Sequence, residues 1–180
     1  MNRRSQTLIV FAVLLGIAVV GRLLSTELGW WNFTPVAAVG LFAGFFFASG
    51  WMAAFLSVGA LTISNMFLGG YGNPGVAATV YAAMLFPIGL RSILRSELTA
   101  PRVLGCAMLS SVVFFVSTNF AHWFFTMPHT LDNLTIAFVS AVPFFRGTLA
   151  GDLCFSALLF GGYVWGLLGQ QRLIPARALR

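Results

Sequence analysis

Pro143-Phe-Phe-Arg-Gly-Thr-Leu-Ala-Gly-Asp-Leu-Cys-Phe-Ser-Ala-Leu-Leu-Phe-Gly161 sets an arginine and an aspartate into an otherwise apolar run. Arg146 stands where the last hydrophobic segment of the chain begins, and Asp152 sits roughly two helical turns further in. The apolar residues continue to about Gly169, which makes the segment long enough to cross a bilayer. Asp152 then falls at membrane depth, where an ionised carboxylate needs a partner or a wet cavity. The rest of the chain reads as apolar scaffold around that pair.

Composition supports this reading. The 180 residues are 59% hydrophobic and 8% charged, with a mean hydropathy of +0.92, more apolar surface than a soluble domain of this size can hide. No charged residue occurs between Leu28 and Leu90 or between Val103 and Leu131, so each stretch must hold crossings broken by turns. All ten basic residues are arginines gathered at segment ends. The net charge of +6 is therefore a topology signal, and no nucleic-acid partner is expected. Cys106 and Cys154 lie in apolar runs without a CxxC spacing and read as small buried hydrophobes, with no disulfide, metal or cofactor expected.

Working outward, the sequence predicts a single transmembrane domain over residues 1–180 with six helices. The first covers about 5–24, retained rather than cleaved because no A-x-A pattern follows it, and Ala12 and Gly16 give it a small face for helix contact. Residues 25–33 form an interfacial loop with Trp30 and Trp31 at headgroup level. Thr34-Pro35 opens a second helix to about Ser49, carrying Gly40, Gly44 and Ala48 at four-residue spacing. A third helix runs over 51–68. The Gly-rich loop 69–75 lacks the lysine of a phosphate loop, and a fourth helix covers about 76–94, with Pro87 able to kink it. The fifth covers about 101–125. Residues 126–142 are expected to lie across the outer face as a loop with a short helix, and the sixth helix covers about 146–169.

Six crossings put Arg3, Arg4, Arg91, Arg95, Arg102, Arg172, Arg177 and Arg180 on one side and only Arg22 and Arg146 on the other. The positive-inside rule makes both termini cytoplasmic. Arg22, Glu27, Asn32, Asn65, Asn119, His122, Asp132, Arg146 and Asp152 then fall toward the outer half, where an outward-opening cavity would gather them. For Asp152 two compatible roles are open: an ion pair with Arg22 on the first helix, or a ligand contact shared with Arg146 or Asn119. Asn65 and Asn119 suit helix–helix hydrogen bonds or ligand contacts, and His122 and His129 read as interfacial or pore-lining groups rather than metal ligands. No G-x-S-x-G or other catalytic motif occurs, so no enzyme is expected.

Four stretches carry a resemblance: Asn32 to Gly44 (NFTPVAAVGLFAG), Ser64 to Gly69 (SNMFLG), Thr118 to Trp123 (TNFAHW) and Ala141 to Asp152 (AVPFFRGTLAGD). Together they resemble a family of uncharacterised small bacterial membrane proteins. That family is similar to the substrate-binding S components of energy-coupling factor (ECF) vitamin transporters. Asn65 departs from the pattern, standing where the family usually has aspartate. The resemblance implies an S-component-like bundle in a bacterial inner membrane, with a small solute held beneath the outer loops. It also implies docking on a transmembrane coupling subunit that works with ATPases. The Ala12/Gly16 face is similar to the alanine-rich patch used for that docking, and Gly40 and Gly44 offer a second small face. The expected ligand contacts are Asp152, Arg146, Asn119, Asn32, Asn65 and His122. The rival expectation is a structural or accessory subunit with no ligand of its own.

Overall fold

The structure is a computed structural model that describes residues 2–172. Arg177 and Arg180 of the expected basic tail lie outside the described residues. Regular structure among the described residues is helical throughout: α1 (Arg3–Glu27), α2 (Val36–Phe46), α3 (Gly50–Leu68), α4 (Pro74–Gly89), α5 (Arg91–Ser96), α6 (Ala100–Thr126) and α7 (Leu131–Arg172). Five stretches, Arg4–Glu27, Gly50–Leu68, Pro74–Ser96, Ala100–Thr126 and Leu131–Leu168, are long and apolar enough to cross a membrane. Their outward faces carry large apolar side chains such as Leu8, Trp51, Phe55 and Met66, as a multi-pass membrane protein requires.

The middle of the bundle is α2. It packs against every other helix, and Val36 to Gly44 are all buried. At 11 residues it spans only about 17 Å, roughly half the hydrocarbon thickness. It is shorter at both ends than the sequence predicts. Pro35 takes the N-cap position without a side-chain cap, the Thr34 amide turning back to the Asn32 carbonyl instead. At the far end Phe47 is extended, which leaves carbonyls with no helical partner. Two arginines of α5 satisfy them: Arg95 donates from Nε to the Phe45 oxygen at 3.0 Å and from Nη2 to the Phe47 oxygen, and Arg91 donates to the Ala48 oxygen at 2.7 Å. Residues read from sequence only as topology charges thus close the end of the central helix, where a cation is favoured.

The small residues of α2 are absorbed within the chain. A Cβ on Gly40 would stand 3.0 Å from Ser57 Oγ, and one on Gly44 would stand 3.0 Å from Ile88 Cα. Both glycines are buried, so they have no surface for another subunit, and the docking face expected there is an internal contact with α3 and α4. On α1 the position is different. Ala12 and Gly16 are exposed, with nothing within 4 Å of a Cβ on Gly16.

The largest departure from expectation is α7. Residues 126–142 are not a loop with a separate short helix. After a tight turn over 127–130, in which Thr130 Oγ1 accepts from the Asn133 amide, one helix of 42 residues runs through Pro143. Apolar residues on both sides of the proline explain the continuity, since Phe138 before it and Phe145 after it both meet Phe115, while Ala137 and Ala141 are buried. The proline removes a single backbone donor, which neighbouring helices make tolerable in a membrane.

Candidate functional site

The loop between α1 and α2 builds the site. Asn32 adopts a positive φ of 59°, and the stretch from Trp31 to Thr34 lies directly on α7. Two glycines permit that approach. A Cβ on Gly147 would fall on the Trp31 carbonyl oxygen, and one on Gly151 would stand 2.9 Å from the Thr34 amide nitrogen. Gly21 on α1 does the same for Pro35, whose Cγ would be 2.5 Å from a Cβ there. The aromatic side chains of the loop then settle on α7: Trp31 stacks on Phe144 at 5.2 Å and Phe33 tilts against Phe155 at 5.3 Å.

Two adjoining hollows result, sharing Asn32 and Phe144 as their common wall. The wider, of about 320 Å³, is lined by Arg22, Ser25, Trp30, Trp31 and Thr34 among others. The narrower, of about 120 Å³, is lined by Phe115, Thr118, Asn119, Phe145 and Thr148 among others. Asn119 donates to the Phe115 carbonyl one turn back in its own helix at 2.7 Å. A roomier hollow of about 460 Å³ lies between α6 and α7 at the opposite end of the bundle. Its walls are Val103, Leu104, Phe160, Val164, Trp165 and similar residues, with Thr99 the sole hydroxyl. It offers little to orient a solute.

Beside the wider hollow, Arg22 is half-buried and anchors a polar network. Its Nη1 donates to Ser64 Oγ at 2.5 Å and to Asn65 Oδ1 at 2.8 Å, and its Nη2 donates to Tyr71 Oη at 3.3 Å. Asn65 in turn donates to Tyr81 Oη at 3.3 Å. Burial pushes the Tyr71 phenol above its ordinary pKa, while the Arg22 charge and hydrogen bond pull it back, so the phenol is neutral at physiological pH.

Several expected site residues are placed elsewhere. Asp152 does not pair with Arg22. It is 3% exposed and accepts from Ser111 Oγ at 2.6 Å, one turn below Thr148, and it lines neither hollow. The separation follows from the loop: residues 31–34 occupy the face of α7 above Asp152, and Pro35 next to them fills the face of α1 at Gly21. Arg146 is exposed, with no hydrogen bond or ion pair among the described residues, because its neighbour Gly147 takes the inward position. His122 is also exposed and contacts Thr126 on its own helix. Asn65 reaches the site only through Arg22. Of the predicted ligand contacts, Asn32 and Asn119 come together in one hollow; Arg22, expected only as an ion-pair partner of Asp152, lines the next.

A family model matches residues 2–175, and its description is a family of unknown function, DUF6580. The chain belongs to the DUF6580 family. No curated protein and no solved structure matches it. The match covers all of the described DUF6580 fold, including the loop on α7 and both hollows.

The sequence reading missed Gly147, Gly151 and Phe144 as site-builders. The signal was present, since Gly147 and Gly151 stand four residues apart inside the 143–161 stretch, a spacing that lets another backbone approach a helix closely.

Proposed function

We propose that this chain is a solute-binding membrane protein of the S-component kind. It captures a small vitamin-like or micronutrient solute at the outer face of a bacterial plasma membrane. The observation that carries the reading is the pair of adjoining hollows divided by Asn32 and Phe144. The wider falls within the size range of small-molecule sites, and its walls combine aromatic faces with a few convergent polar groups. Trp30, Trp31 and Phe144 supply apolar contact, while Asn32, Asn119 and Thr118 fix orientation by hydrogen bonds. The arginine distribution puts this end of the bundle outside, with six crossings, α2 being the short one, and both termini in the cytoplasm. With no nucleotide-binding motif of its own, the chain would hand its solute to a transmembrane coupling subunit driven by ATPases. The exposed Ala12 and Gly16 on α1, whose apolar span is only 11% buried, support docking there.

Screening purified protein against vitamins and nucleobase-like solutes tests the reading. A binding solute should raise the melting temperature and quench Trp30 and Trp31 fluorescence, and Asn119→Ala or Phe144→Ala should weaken it about tenfold or more. If no solute moves the melting temperature and the protein purifies only with a fixed partner, it is an accessory subunit instead.

A further inference from the structure

We propose that the solute taken into the wider hollow is an oxyanion, carrying a carboxylate or phosphate that docks on Arg22. This rests on the solute-capture reading and narrows it to a chemical class. A guanidinium has five N–H donors in a fixed fork. On Arg22 three are held by Ser64, Asn65 and Tyr71, while the Nε–H and one Nη2–H have no acceptor among the described residues. All three acceptors are neutral, the phenol of Tyr71 included, so hydrogen bonds orient the fork without cancelling its charge.

No carboxylate among the described residues does so either. Among the described residues the only ion pair joins Arg102 to Glu97 at the far end of the bundle, and Asp152 is bonded to Ser111. Glu27, a turn along α1, is exposed and forms no ion pair. A cation fixed near membrane depth without a counter-charge is costly, and an oxyanion meeting its free edge would form charge-assisted, bidentate hydrogen bonds. Trp30, Trp31 and Phe144 stand in the same hollow, so the remainder of the molecule has an aromatic or apolar wall to lie on.

The test uses full-length protein in dodecyl maltoside. It is titrated with benzoate, indole-3-acetate and inorganic phosphate at constant ionic strength against chloride, and with benzamide and indole-3-acetamide as neutral partners of the two acids. Melting temperature is read for every solute, and tryptophan fluorescence for benzoate, benzamide and phosphate. At least one anion should bind saturably, at least tenfold more tightly than its amide. Arg22→Gln should abolish this preference, and Arg22→Lys, keeping the charge without the fork, should retain part of it. The acid-to-amide ratio on the native protein needs no variant, and Arg22→Lys decides if Arg22→Gln does not fold.

Equal binding of acids and amides, or an acid preference surviving in Arg22→Gln, overturns the proposal. If neutral solutes bind in an Asn119-dependent way while anions do not, solute capture stands and the anion assignment falls. If neither this set nor the broader solute screen binds, both fall. A lipid headgroup carries the same chemistry. Added phosphatidylglycerol that displaces the soluble anion from the native protein, and is not retained by Arg22→Gln, would identify the headgroup as the source, whereas no displacement identifies a free solute.

Discussion

Arg22 and Asp152 show how far a pair of charges can be read from sequence alone. Both were legible as polar groups at membrane depth, and the simplest way to avoid two desolvation costs was to pair them. The chain answers each separately, Arg22 with neutral oxygens from α3 and the following loop, Asp152 with Ser111 of α6. Sequence could not show this, because which residues meet Asp152 depends on the α6–α7 register, and hydropathy is blind to register. The geometry makes the Ser111 bond more important than the Asp152 charge. Ser111→Ala leaves a buried carboxyl without its donor and should cost about 1–2 kcal/mol. Asp152→Asn retains an oxygen that can accept from Ser111 and should cost less. Thermal unfolding in detergent checks the order, and a larger loss for Asp152→Asn would mean that the charge itself is needed.

At the scale of elements, the site is a loop laid on a helix, and its fit is set by what α7 lacks. Gly147 and Gly151 let the 31–34 backbone touch the helix, and that contact holds Trp31 against Phe144. Gly147→Ala should push the loop away and destabilise the protein by roughly 1–3 kcal/mol, the usual range for overpacking. Gly151→Ala should do less, because its nearest loop atom is 2.9 Å away. Gly162→Ala on the same helix meets nothing within 4 Å and should be neutral or gain up to about 1 kcal/mol in helix propensity. Melting temperature ranks the three, and hydrogen exchange over residues 28–35 should rise only in the first two. Four-residue glycine spacings were visible both here and on α2. Spacing announces a close approach but not what approaches: at Gly40 and Gly44 it is neighbouring helices, at Gly147 and Gly151 a loop. The run through Pro143 was illegible for a related reason, since a proline reads locally as a break while the packing of Ala137, Phe138 and Ala141 on α6 keeps the helix whole.

For the whole molecule, composition was enough to establish an apolar helical bundle, and the long uncharged runs set most helix limits to within a few residues. What it could not supply was the depth of each element, and α2 is the case in point: an 11-residue helix crosses only if its non-helical flanks complete the passage. Those flanks are pinned at opposite ends, by Gly21, Gly147 and Gly151 around residues 31–35 and by Arg91 and Arg95 at residues 45–48. The chain therefore passes from one end of the bundle to the other through α2, which brings the loops 28–35 and 69–73 to the same end and sends the α5 arginines to the other. Single cysteines placed on a Cys154→Ser background test this. Gly29→Cys and Gly72→Cys should react with a membrane-impermeant maleimide on intact spheroplasts, whereas Ser96→Cys should react only after permeabilisation. Cys106, which is buried, should contribute no background. Labelling of Gly29→Cys and Ser96→Cys from the same side would mean that α2 does not complete its crossing, and the two hollows would then not open to the outside.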